Sequence, residues 1–415
     1  MTKSTLTVVL ILTVLTGCSF FGNSADDQRI VVVNDAEALS LRQQIKDEAI
    51  LIDTTATNGF RSKKAKKVTF DLKLESELSS PEVSGNVLQA TMVSNDNSNA
   101  KWLISYNQKG DSYIGSIDFA QVTGNGKNIE VRSNVSFTDS DVNAVDLSNN
   151  ILYAAIATDN TSIVNGADRS AIQSIGINGF NIQEDENTER SLKSFAANSI
   201  HMDDDLIYVT SGSNGGLTVF DEDLSNEIAF VEIDGARWVD ITDDYLAVLA
   251  GDTNNDGNGT IYLINKSSYQ ITAEYPFAGA AKPEAKNTLE IVNDYAFIAA
   301  GDEGVQLMDL RTGTVTHNIP RPDPSSIGLS EDVVTTNAVT VDDDKIFISN
   351  GEAGVYVAEL SEDADDIEND DFEITMLGKL QFGDVESVNH VTYRNKLLLV
   401  AAGLGGTKVV SLTDK

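Results

Sequence analysis

NAVTVDDDKIFISNGEAGVYVAEL, residues 337–360, reads as strand, acidic turn, strand, glycine turn, strand. KIFIS is almost wholly apolar, as expected of a strand covered on both faces, whereas GVYVAEL alternates. Gly351 and Gly354 bracket the second turn, where glycine supplies the positive φ a tight hairpin needs. The same layout returns in NDYAFIAAGDEGVQLMDL (293–310), DDLIYVTSGSNGGLTVFD (204–221) and RNKLLLVAAGLGGTKVVSL (394–412). A looser copy, DDYLAVLAGDTNNDGNGTIYLIN, spans 243–265.

The glycine that closes each first apolar run falls at Gly212, Gly251, Gly301, Gly351 and Gly403, at separations of 39, 50, 50 and 52 residues. Periods of that size mark propellers and solenoids. Each tile opens on a short strand: NAVDL (143–147), NSIHM (198–202), RWVDI (237–241), NTLEI (287–291), NAVTV (337–341) and NHVTY (389–393). A weaker fourth strand follows, as in QITAEYPF (270–277), GTVTHNI (313–319) and EITMLGKLQF (373–382). Four antiparallel strands per unit of this length make a propeller blade. Two drifted tiles, 89–122 and 143–157, bring the count to seven. The last tile ends on its third strand at 407–412, while KVTFDLKL (67–74) alternates and belongs to no tile. The expected fold is therefore an all-β, seven-bladed β-propeller of four-stranded blades, closed by this N-terminal strand, which removes an exposed edge.

The expected organisation is a signal segment at 1–17, a tether and short N-terminal segment at 18–66, and the propeller at 67–415. Lys3, the apolar run Leu6–Leu15 and LTGC (15–18) suit an export signal too short to span a bilayer. LTGC resembles the lipobox of bacterial lipoproteins. That resemblance implies that Cys18 carries acyl chains such as palmitate, and Ser19 after it implies the outer membrane. Cys18 is the only cysteine of 415 residues, so disulfides, zinc–cysteine sites and cysteine nucleophiles are excluded once it is acylated. IVVV (30–33) is expected as a strand and AEALSLRQQIKDEA (36–49) as a helix capped by Asp35. RSKKAKK (61–67), five basic residues in seven, reads as a solvated linker, with contact to lipid phosphates as the other reading.

The tiles ending GVQLMDL, GVYVAEL and GLTVFDE resemble the LVIVD-repeat β-propellers of exported bacterial proteins, over roughly residues 85–412. The resemblance implies a surface or lipoprotein propeller and assigns no chemistry. A net charge of −35 argues against nucleic acid as a partner, because phosphate neutralisation needs basic patches.

Two sets of residues are candidates for function. The first is the polar residue opening each inner strand: Gln89, Asn143, Asn198, Arg237, Asn287, Asn337 and Asn389. Such a ring would line the channel and bind a polar ligand, or clasp backbone, as Asn does at strand ends. Arg237 breaks the pattern and would suit an anionic group. The second is DTNNDGNG (252–259), where Asp252, Asn254 and Asp256 precede Gly257 as in the opening of a calcium loop, without its closing acid. His201, His317 and His390 show no metal-ligand spacing, and no nucleophile elbow or phosphate loop occurs. The expected role is a lipid-anchored, non-catalytic binding or assembly module of the cell envelope, its partner an envelope protein or a glycan. The alternative is a calcium-assisted hydrolase, lactonase- or phosphatase-like, at the channel mouth.

Overall fold

The computed structural model describes residues 29–56, 68–95, 101–110, 112–123, 128–164, 168–282, 285–367, 371–382 and 387–415. Cys18, the signal segment and RSKKAKK lie outside these residues. The described residues form seven four- or five-stranded antiparallel sheets arranged as the blades of a propeller, beside a small two-stranded hairpin of Glu82–Val83 and Asn86–Val87. Their inner strands are Gln89–Asn95, Ser140–Ser148, Ala197–Asp203, Ala236–Ile241, Leu289–Val292, Ala338–Asp342 and His390–Arg394, here blades 1 to 7.

The apolar second strands are sandwiched between blades. In blade 3, Ile207 and Val209 pack with Tyr153 and Ile172 of blade 2, while Tyr208 between them packs with Val239 and Val248 of blade 4. In blade 6, Ile346 and Ile348 face Phe297 of blade 5, and Phe347 faces Val391 and Leu398 of blade 7. Seven such clusters fill the seven interfaces. Each large side chain buried there contributes about 1.5–3 kcal/mol. The predicted hairpin glycines hold positive φ, Gly301 at 55°, Gly304 at 85°, Gly351 at 57° and Gly354 at 89°. At Gly304 a Cβ would also run into the carbonyl oxygen of Ile319.

Ring closure follows the sequence expectation. Phe70–Leu78 pairs antiparallel with Thr407–Asp414, from Leu78 against Thr407 to Phe70 against Asp414, and supplies the fourth strand of blade 7.

The preceding segment departs from it. Asp35 does cap a helix, accepting from the N–H groups of Glu37 and Ala38, but the helix stops after Ala36–Ser40. Gln43–Ile50 is instead a fifth strand on Phe70–Leu78. These residues favour helix locally, yet the unpaired edge of Phe70–Leu78 offers a full ladder of backbone bonds, and tertiary context wins. Ile30–Val33 pairs with Asn134–Phe137 of blade 1, and Ile52–Asp53 with Lys379 and Leu380 of blade 6. Residues 30–53 thus form a clasp over the rims of blades 1, 7 and 6.

Candidate functional site: the axial channel

The polar residues that open the inner strands stand around one mouth of the channel and act mainly on the next blade. Asn143 Nδ2 donates to Ala197 O at 2.8 Å, Asn198 to Ala236 O at 2.8 Å, Asn337 to Val388 O at 3.3 Å and Asn389 to Ala90 O at 2.8 Å. Each bond ties a blade to its neighbour at the strand entrance, where an amide side chain can replace a missing ladder partner. Asn287 differs: its Nδ2 turns back to Ala299 O of its own blade at 2.8 Å. Arg237 supplies the tie between blades 4 and 5, Nη1 donating to Asn287 Oδ1 and, at 3.1 Å each, to Lys282 O and Ala285 O. That nitrogen faces carbonyl oxygens, not the open mouth where an anion was expected. In blade 1 the tie comes from Asn107, whose Oδ1 accepts from Val142 N at 2.6 Å, rather than from Gln89. Gln89, Asn337 and Asn389 border a cavity of about 510 Å³ at this mouth.

One residue in from Arg237 and Asn389, Trp238 of blade 4 and His390 of blade 7 stack on each other, ring centroids 5.9 Å apart. Burial, and then the charge of Lys286, lower the His390 pKa to about 3, so the ring is neutral. Lys286 reaches over to blade 2, where its Nζ donates to Asn143 O at 3.3 Å, and burial lowers its pKa to about 8.

A second cavity, also about 510 Å³, opens on the far side of the stack toward the acidic turns. Asp146, His201, Asp240 and Glu290 line it from blades 2, 3, 4 and 5, with Arg394 from blade 7. His201 Nδ1 lies 3.5 Å from Asp240 Oδ1, and Arg394 Nη2 donates to Glu290 Oε1 at 2.7 Å. The acids also latch blades together: Met202 N donates to Asp146, Ile291 N to Asp240 and Val341 N to Glu290. Desolvation, only partly offset by His201, raises the pKa values of Asp146 and Asp240. Desolvation likewise raises that of Glu290, against the pull of Arg394. His201 and His390 therefore share one cavity. His317 lies elsewhere, stacked on Phe372 with centroids 4.4 Å apart.

The 252–259 loop holds itself. Asp252 accepts from the N–H groups of Asn254, Asp256 and Gly257, at 3.0, 3.3 and 2.8 Å, and Asp256 accepts from Asn258 N. These bonds hold the Asp252 pKa below the usual range, that from Gly257 most of all. Asn254 and Asp256 are exposed at the surface. Among the described residues no group of three or more His, Cys, Asp or Glu side chains is placed to hold a metal.

Sequence reasoning did not single out Asp146, Asp240 and Glu290 as a set. The signal was present as the acid at the fourth position of NAVDL, RWVDI and NTLEI, in register with His201 of NSIHM. Lys286 and Asn107 carry no repeat signature.

No family model and no curated protein matches the sequence. The WD40 β-propeller domain of Doa1 superposes with a TM-score of 0.50 at 11% identity, covering 80% of this chain and 96% of that one. The likeness is one of fold. The Neurospora crassa Pan2 WD40 domain gives 0.48 at 12% identity, over 79% of this chain and 90% of that one. The computationally designed Ika8 protein gives 0.45 at 11%, over 88% and 100%.

Proposed function

We propose that this protein is a lipid-anchored propeller of the cell envelope, held at the outer membrane through Cys18, that works as a non-catalytic binding or assembly module for another envelope protein or a glycan. The observation that carries the non-catalytic reading is the engagement of the axial groups. Asp146, Asp240 and Glu290 each accept a backbone N–H from the following blade. Among the described residues no hydroxyl is hydrogen-bonded to His201 or His390, so neither is poised to activate a nucleophile. A wheel so braced presents loops on two faces, the usual place for recognition on a rigid scaffold. The fold shared with the Doa1 domain favours a protein-interaction role.

The anchor reading is supported by LTGC and by the clasp that follows it. Leu41, Ile45 and Leu51 are 70%, 73% and 65% exposed on that clasp, apolar surface suited to a position near lipid. Growth with labelled palmitate and membrane fractionation test this: label and membrane retention should both vanish in Cys18→Ser. Retention of either by the variant would overturn the anchor. Cross-linking on intact cells tests the partner, which should be a recurrent envelope species lost when loops of one face are replaced.

A further inference from the structure

The cavity beside the Trp238–His390 stack holds bonding capacity that the blade latches leave unused. We propose that it binds a small organic ammonium ion, the positive head between Asp146 and Asp240 and the body against Trp238.

Charge comes first. Glu290 is paired with Arg394, whose charge also reaches Asp240, and Lys101 lines the same cavity. Asp146 and Asp240 themselves have His201 between them and, among the described residues, no lysine or arginine ion pair. Each of their four oxygens accepts one backbone N–H: Leu147 and Met202 donate to Asp146, Ile241 and Ile291 to Asp240. A carboxylate oxygen has a second acceptor position, so two anions face the cavity able to take further donors. A cation satisfies both demands, and an anionic ligand neither.

The floor gives an independent sign of a ligand. His390 is 6% exposed, lines the cavity, and its Nδ1 has no hydrogen-bond partner. A neutral imidazole offers one lone pair, and such a buried nitrogen costs stability while unmatched. The half-buried Trp238 indole adds an aromatic face, which attracts cations within about 6 Å of its centroid. Ile200, Leu289 and Val391 add apolar surface, and the volume of about 510 Å³ suits a small molecule. A bare metal ion is the poorer fit, since among the described residues no three His, Cys, Asp or Glu side chains converge to hold one.

The experiment titrates the whole propeller with butylammonium, and in parallel with butan-1-ol and butyrate, by calorimetry and tryptophan fluorescence. Of the two tryptophans Trp102 is fully buried in blade 1, so the optical signal belongs to Trp238. Saturable binding is expected for butylammonium alone. Asp146→Asn and Asp240→Asn, which keep an oxygen for the blade latch, should each weaken it about tenfold or more. Trp238→Phe should abolish the fluorescence change while calorimetry still detects weakened binding. Melting curves show which variants are folded, and either aspartate variant suffices. No saturation at millimolar butylammonium, or an equal response to the alcohol, overturns the site. The result is independent of the lipid anchor, since Cys18→Ser protein should bind equally.

Discussion

Arg42 and Asp118 meet as a bidentate pair, Nη1 to Oδ1 at 2.8 Å and Nη2 to Oδ2 at 2.6 Å, across 76 positions of sequence. Asp118 is fully buried in blade 1, and Arg42 belongs to the N-terminal clasp, its Nε donating to Ser79 O at 2.9 Å. Burial opposes the arginine's charge, but Asp118 outweighs it and raises the pKa. Arg42→Ala leaves a buried carboxylate with Asn134 and Tyr106 as its remaining partners. Breaking such a pair costs about 3–5 kcal/mol, whereas replacing both partners by apolar residues is often near neutral. Urea unfolding should show the large loss in Arg42→Ala and recovery of most of it in Arg42→Met/Asp118→Leu. A single-variant loss below about 1 kcal/mol, the range of a surface pair, would count against this role.

The closing strand is expected to matter more than the clasp outside it. Deleting residues 29–56 removes the added strands of blades 1, 6 and 7 but leaves four strands in each. It should give a soluble monomer with a lowered melting temperature. Deletion through Leu78 opens blade 7 and exposes Thr407–Asp414 as an edge, so aggregation is expected by size-exclusion chromatography. A soluble, monomeric product of the longer deletion would contradict closure by this ladder.

The asparagine ties should be individually modest. Asn143→Ala and Asn198→Ala each remove one bond to the next blade, a loss of about 1 kcal/mol. Arg237→Ala leaves three oxygens without this donor and should cost more than either. Denaturant midpoints of the three variants check the order.

Stability should fall as pH rises from about 4 to about 7. Burial pushes the Asp141 carboxyl up to about 7, and its Oδ1 has no partner. In the unfolded chain the group titrates near the ordinary aspartate value of 3.8, so between the two values the folded state holds the extra proton. Its contribution is complete at low pH, is lost between about pH 4 and 7, and is constant above. Asp146, Asp240 and Glu290, also raised, act in the same direction. Asp141→Asn should stabilise the protein at pH above 7 by about 1–2 kcal/mol, water screening part of the charge at this half-buried position. Equal urea midpoints for parent and variant at high pH would refute the assignment.

Asp252→Ala should loosen the 252–259 hairpin equally in calcium and in chelator, because the carboxylate already serves the loop's own amides. A melting temperature that rises with calcium in the parent and not in the variant would point instead to a bound ion.

Much of this architecture can be read from the sequence because the propeller is built from local hairpins whose turns and apolar runs repeat. Gly301, Gly351 and Gly403 mark equivalent corners, and KIFIS or YAFIA needs no distant information to be recognised as a doubly covered strand. The clasp was less legible for the opposite reason. QQIKDEAI has no strand signature, and its conformation is imposed by an edge that the C-terminus helps to build. The asparagine ring was visible as a pattern, but its direction toward the next blade is a three-dimensional fact. The ammonium cavity was harder still. Asp146, His201, Asp240 and Glu290 stand some 40–55 residues apart and converge only because consecutive blades share an axis.

The stitching of Phe70–Leu78 onto Thr407–Asp414 also sets an order of events. Leu78 and Thr407 are 329 positions apart, so the early strand, which meets Gln43–Ile50 on one edge, has no partner on its blade 7 edge until nearly all of the polypeptide has been delivered. Pairings of such separation are slow to form. Blades 2 to 5 can assemble from contiguous sequence while the first residues wait, and the circle is completed last. A chain passed through a membrane from its N-terminus would thereby stay unlocked until translocation is over.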